Sequence, residues 1–185
     1  MAISNRLKEL LQTSKVRYTA MKHPVVYTAQ EIAAAQHVPG RQLAKCVLVI
    51  ADKKPVLAVL PAIHLIALSK LKGVLKAKKL SIGREADIRQ YFPDVEVGAM
   101  SPFGNLYGVP VIVDEVLAEA GDIVFNAGSH TDTIKMSYAD FRRLVKPKVG
   151  SFGQPFVTKK PAKKPAKRSP AVRRSTKPRG KRSRR

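Results

Sequence analysis

Cysteine is the scarcest reactive residue in this 185-residue chain, which has only Cys46. A lone cysteine excludes an internal disulfide and any metal site built from several cysteines. No run of 18 apolar residues occurs, so the sequence offers no membrane-spanning helix. Residues 1–18 are interrupted by Arg6, Lys8, Glu9, Lys15 and Arg17 and lack the unbroken apolar core of a secretory signal. Acidic residues stop at Asp140. Several catalytic signatures are also missing: G-x-S-x-G, H-E-x-x-H, G-x-x-x-x-G-K and G-x-G-x-x-G. Ser69-Lys70-Leu71-Lys72 fits S-x-x-K without the companion motifs and reads as a helix start. His23, His37, His64 and His130 show no metal-ligand spacing. The expectation is a soluble, cytoplasmic protein without metal or cofactor.

What is abundant is positive charge. The chain carries 35 Lys+Arg against 13 Asp+Glu, a formal net charge of +22. Residues 146–185 hold 16 of those cations and no acid, leaving 19 against 13 in residues 1–145. Segment 158–185 has a single Val as its only large aliphatic residue. It cannot bury enough apolar area to offset ordering entropy, so it is expected to be disordered. As a flexible chain, 40 residues span about 35 Å root-mean-square. Such a charge block suits a polyanion, and its affinity should fall steeply with salt. Lys159, Lys160, Lys163, Lys164, Lys167, Arg168, Arg173, Arg174, Lys177 and Arg179 are the expected nucleic-acid contacts. No aromatic follows Phe156, so these contacts should be electrostatic and indifferent to base sequence.

The rest of the chain reads as one domain, residues 1–147, followed by the tail at 148–185. Ile3, Leu7, Leu10 and Leu11 mark an amphipathic first helix, and Val16 to Tyr18 a short strand. Thr28-Ala29-Gln30-Glu31 has capping-box form and opens a helix stopped by Pro39-Gly40. Cys46–Ile50 and Val56–Leu60 flank the turn Asp52–Pro55 as a hairpin of buried strands. A basic helix is expected over Lys70–Lys79 and another over Glu85–Tyr91. Strands are expected at Val109–Val113, Ile123–Phe125 and Thr133–Met136, and a last helix opens at Ser137 with Asp140. Few long crossover helices separate the strands. The expected fold is therefore α/β in the α+β sense: a mixed, mostly antiparallel, barrel-like sheet with peripheral helices.

Three features could carry chemistry. Lys45 stands directly before the apolar run Cys46–Ile50, where a lysine would ordinarily reach into water. The segment Gly98–Gly104 (GAMSPFG) is loop chemistry whose amides could face a reacting carbonyl oxygen. Asn126–His130 is a small polar turn after a buried strand and suits a pocket rim. Cys46 itself reads as a small core residue.

In order along the chain, YTAQEIA, AKCVLV, VGAMSPFGNLYG and FNAGSHTDTIKM resemble the YbaK-type aminoacyl-tRNA deacylases and the editing domain inserted in bacterial prolyl-tRNA synthetases. The resemblance covers roughly residues 1–148. It implies the YbaK-like fold and hydrolysis of the ester joining a wrong amino acid to tRNA. The family's lysine falls on Lys45 and its G-x-x-x-P loop on Gly98 to Pro102. It implies that Lys45 anchors the 3′-terminal adenosine while Gly98, Ser101 and Pro102 position the acyl group. Val26, Tyr27, Gly104, Ala127, Gly128 and His130 are the implied substrate-binding positions. The implied partners are mischarged tRNA, other nucleic acid through the tail, and an aminoacyl-tRNA synthetase. An inactive relative, with a histone-like tail serving general nucleic-acid binding, is the competing reading.

Overall fold

The structure is a computed structural model that describes residues 3–156. The tail cations named above, from Lys159 onward, lie outside the described residues. Helix α1 (Asn5–Thr13) buries Leu7 and Leu11 and leads through Val16 into strand β1 (Tyr18–Lys22). Helix α2 (Ala29–Ala35) carries the expected capping box. The Glu31 amide donates to Thr28 Oγ1 at 3.2 Å, and the Thr28 amide donates to Glu31 Oε2 at 3.0 Å. Strands β2 (Leu43–Ala51) and β3 (Lys54–Pro61) form the expected hairpin, paired from Ala44↔Pro61 to Ala51↔Lys54.

Beyond the hairpin come β4 (His64–Ile66), α3 (Leu68–Leu75), β5 (Leu80–Ile82) and α4 (Glu85–Tyr91). The helix expected over Lys70–Lys79 is thus shorter. Lys76 turns left-handed (φ 53°), and the Asp52 carboxylate then takes the amides of Lys78 and Lys79 at 2.8–3.1 Å. Those amides, captured from the β2–β3 turn, no longer serve a helix and start β5 instead. After a 3₁₀ turn at Gly104–Tyr107 the chain forms β6 (Val111–Asp114), α5 (Glu115–Ala118), β7 (Asp122–Asn126), β8 (Asp132–Ser137) and α6 (Tyr138–Val145). Ser137 caps α6, accepting the Asp140 amide at 3.1 Å.

The sheet runs β1-β8-β7-β2-β3-β6 and ends on β9 (Lys148–Gly150), with β5 added against β2. Five of the eight strand pairings, counting β10 (Gly153–Pro155) against β4, are antiparallel. The path does not close on itself: β1 and β9 are its ends. Its larger core joins α1, α6 and the loop at Met100–Phe103, with the Phe103 ring in contact with those of both Phe125 and Phe141.

Strands β9 and β10 move the boundary drawn from sequence. Residues 148–155 were assigned there to the tail, yet β9 pairs in parallel with β6, and Phe152 is fully buried beside Leu71 and Ile112. Buried Asp114 holds the crossing, accepting the amides of Phe152 at 3.0 Å and Gly153 at 2.6 Å. Two three-residue strands show no periodicity, so charge composition alone concealed them.

Candidate active site

The site forms where β2 begins and β7 ends. These strands run parallel, with Leu43 level with Val124 and Ala44 level with Phe125. Continuing that register places Lys45 beside Asn126. Alternation along β2 sends Ala44 and Leu48 into the large core. Leu43 joins Ile32 and Val124 in one small cluster, and Val49 joins Leu60 and Leu71 in another. Lys45 shares the face of Leu43 and Val49 and falls in the gap between those clusters. It is half-buried there, and burial lowers its pKa from the ordinary lysine value by disfavouring the charged form.

Lys45, Asn126, Tyr27 and Gly98 share one cavity of about 170 Å³, whose remaining walls are Ala29, Ile32, Leu43, Ala44, Cys46 and Met100. Two of the motifs read separately in the sequence therefore meet. The nitrogen-bearing side chain and the glycine bend line the same hollow. Tyr27, three-quarters exposed, stands at the mouth with its ring 5.0 Å from that of His130. Cys46 reaches the wall as well, and burial pushes its thiol pKa upward. A thiol kept protonated is a poor nucleophile.

Four hydrogen bonds stitch the Gly98 loop to the turn after β7, and a fifth closes the loop on itself. The Glu96 amide donates to Gly128 O at 3.0 Å, and the Ala99 amide to Glu96 O at 2.9 Å. The Gly128 amide donates to Ala99 O at 3.1 Å, and the His130 amide to Glu96 Oε2 at 2.9 Å. His130 Nε2 lies 3.0 Å from Val97 O and so must carry the proton, leaving Nδ1 buried and without a partner among the described residues. Gly98 (φ +91°) and Gly128 (φ +109°) both occupy backbone space that side chains resist. Asp132 braces the far end of the turn by accepting Ser129 Oγ at 2.7 Å and Thr131 Oγ1 at 2.8 Å.

Other expected site residues sit elsewhere. Ser101 and Pro102 are buried and do not line the cavity. Ala127 is a core residue, and Val26 packs on the Ile32–Leu43–Val124 cluster beneath the site. Gly104 is buried outside the cavity lining, where an added Cβ would meet Val109 O at 2.7 Å and Val111 Cγ2 at 2.9 Å. Sequence reasoning passed over Glu96, and treated Asn126 only as the start of a polar rim. Glu96 carries no motif, and only the folded loop reveals its carboxylate on the His130 amide. Among the described residues no cluster of three or more His, Cys, Asp or Glu is gathered to hold a metal.

Residues 23–144, spanning every element from α2 to α6, match the aminoacyl-tRNA editing domain family. The chain belongs to that family. Membership makes the protein an aminoacyl-tRNA deacylase, as the ordered motifs implied. A prolyl-tRNA editing protein, ProX, of Acetoanaerobium sticklandii is 27% identical over 169 residues, covering 82% of this chain and 93% of the relative. A proline–tRNA ligase of Streptococcus thermophilus is also 27% identical, over 140 residues; the match covers 71% of this chain and only 22% of the ligase. Among solved structures, a hypothetical protein superposes with a TM-score of 0.74 at 14% identity, over 81% of this chain and 100% of the other. A proposed trans-editing enzyme for prolyl-tRNA synthetase superposes with a TM-score of 0.71 at 17% identity, over 82% and 96%. These likenesses establish the editing-domain fold for this chain.

Proposed function

We propose that the protein is a free-standing editing enzyme that removes a small, uncharged amino acid wrongly joined to a tRNA, acting in trans beside a synthetase. The observation that carries this reading is the shared cavity of Lys45 and Gly98. Its volume of about 170 Å³ and its mainly apolar walls suit a small acyl group. The similarity extends over 93% of an editing protein but only 22% of a proline–tRNA ligase, which supports action in trans.

The bond cleaved is an activated ester, so a positioned water suffices as nucleophile. Lys45 would hold the terminal adenosine through its phosphate. The amide of Met100, a cavity-lining residue, donates to no backbone carbonyl among the described residues and is the donor available to the developing oxyanion. Water adds to the carbonyl carbon and the tetrahedral intermediate collapses. The C–O bond to the ribose breaks, and the ribose oxygen takes up a proton. Orientation and electrostatic stabilisation then provide the rate. The basic tail would supply general affinity for the tRNA backbone, replacing the tRNA-binding domains of a synthetase.

The test is a deacylation panel of tRNA(Pro) charged with Ala, Cys, Ser or Thr, alongside the cognate tRNAs. Release of at least one amino acid from tRNA(Pro), lost in Lys45→Ala, is expected. Absence of release above the uncatalysed rate, with equally tight binding of duplex DNA, would overturn it in favour of an inactive nucleic-acid-binding module.

A further inference from the structure

We infer that Asn126 is the hydrogen-bond acceptor for the α-ammonium group of the substrate's amino acid. This rests on the deacylase reading of the cavity and adds a subsite to it. An aminoacyl ester brings a protonated or partly protonated amine into the site, since α-amino groups titrate near pH 7.7–8.0. Its N–H bonds need acceptors once water is displaced. None of the side chains lining the cavity is a carboxylate. The charged group among them is the Lys45 ammonium, a donor that cannot serve.

Asn126 is the wall residue with unspent accepting capacity. Its Oδ1 is buried and meets no donor among the described residues. Its Nδ2 makes no hydrogen bond there either. A half-turn of the carboxamide therefore breaks nothing within the protein and can present the oxygen to the cavity. A buried polar group left unpaired in a native fold calls for an explanation, and one that lines a cavity can find its partner in a ligand. The parallel register of β2 and β7 sets Asn126 next to Lys45 on one face of the sheet. The long lysine stem can carry its charge towards the mouth, where the nucleotide would lie. The short asparagine stays near the sheet, where the amino acid would lie.

Asn126→Ala and Asn126→Asp provide the test, with deacylation measured on the amino acid found active in the panel. Loss of the acceptor should lower kcat/KM at least tenfold for Asn126→Ala. Asn126→Asp, which keeps an oxygen in place, should remain within a few-fold of wild type. If the residue instead donates Nδ2–H to the carbonyl, Asp will be as damaging as Ala, and if it merely fills space, the similarly sized Asn126→Leu will be as active as Asn126→Asp. Either result, or a harmless Ala, overturns the inference. A second measurement needs no variant: wild-type enzyme should cleave the N-acetylated form of the same aminoacyl-tRNA at least tenfold more slowly. Equal rates would overturn the inference while the deacylase reading stands, whereas a wild-type enzyme inert on every aminoacyl-tRNA would remove both.

Discussion

Lys45 enters the site with its charge made less secure by burial. Its pKa is lowered, so the ammonium is lost at a pH below the ordinary lysine value of about 10.4. If that charge holds the adenosine phosphate, kcat/KM must fall as pH rises through the lowered pKa. Stability moves the other way. The unfolded chain binds this proton more tightly than the fold does, so stability gained from Lys45 rises with pH between the lowered value and about 10.4. A pH–rate profile corrected for spontaneous ester hydrolysis, set beside the melting temperature over the same range, should show these opposite trends. Lys45→Met should abolish both. Lys45→Ala should lower kcat/KM about 100-fold or more while leaving circular dichroism unchanged, because a misplaced substrate loses that much rate. Gly98→Ala should also impair activity. Its φ of +91° is hostile to a side chain, and the new Cβ would lie 3.4 Å from His130 Cε1. The expected stability loss is about 1–2 kcal/mol, read from denaturant unfolding.

At the scale of elements, two loops behave as one unit because Glu96 joins them. Its backbone amide and its carboxylate both bond to the 128–130 turn, while its carbonyl closes the 96–99 loop on Ala99. Glu96→Ala leaves the His130 amide without its acceptor. Turnover is expected to fall about tenfold or more, with Glu96→Gln recovering most of it because the amide oxygen still accepts. An equal loss in both variants would mean that the carboxylate's charge, not its position, matters. The C-terminal strands make a second unit. Phe152 is fully buried, and truncation to Ala should cost about 3–5 kcal/mol, measurable as a lowered urea midpoint. A chain ending at residue 147 should accordingly fold poorly, whereas one ending at Phe156 should retain the melting temperature of the full protein.

For the whole molecule, the proposed function divides the work between the fold, which carries the chemistry, and the basic extension, which would add affinity for tRNA. Residues 157–185 contain 14 of the 35 Lys+Arg. Contacts equal in ground and transition states change KM and leave kcat alone. Removing 157–185 should therefore raise KM for charged tRNA, hold kcat, and flatten the dependence of KM on salt. The cut belongs at 157 and not at 148, since an earlier cut would remove β9, β10 and Phe152. An unchanged KM at low salt would deny the tail a part in substrate capture.

Local patterns determined much of this protein from sequence alone. The Thr28–Glu31 capping box, the hairpin across Asp52–Pro55 and the helix opened by Ser137 each depend on residues within a few positions, and each formed as read. Lys45 and the Gly98–Pro102 loop stand out in sequence because their motifs are contiguous, but only the fold sets Lys45 and Gly98 in one cavity. Tertiary structure decided what depends on distant partners. Asp52 shortened α3 by binding amides 26 and 27 positions away, and Asp114 drew in Phe152 and Gly153 from 38 and 39 positions away. Gly104 lies tightly packed beside Val109 and Val111, and Asn126 lines the cavity with an oxygen that meets no donor among the described residues. Hydrogen bonds across such separations form only when packing has brought the strands together, and no local pattern records which carboxylate will find which amide.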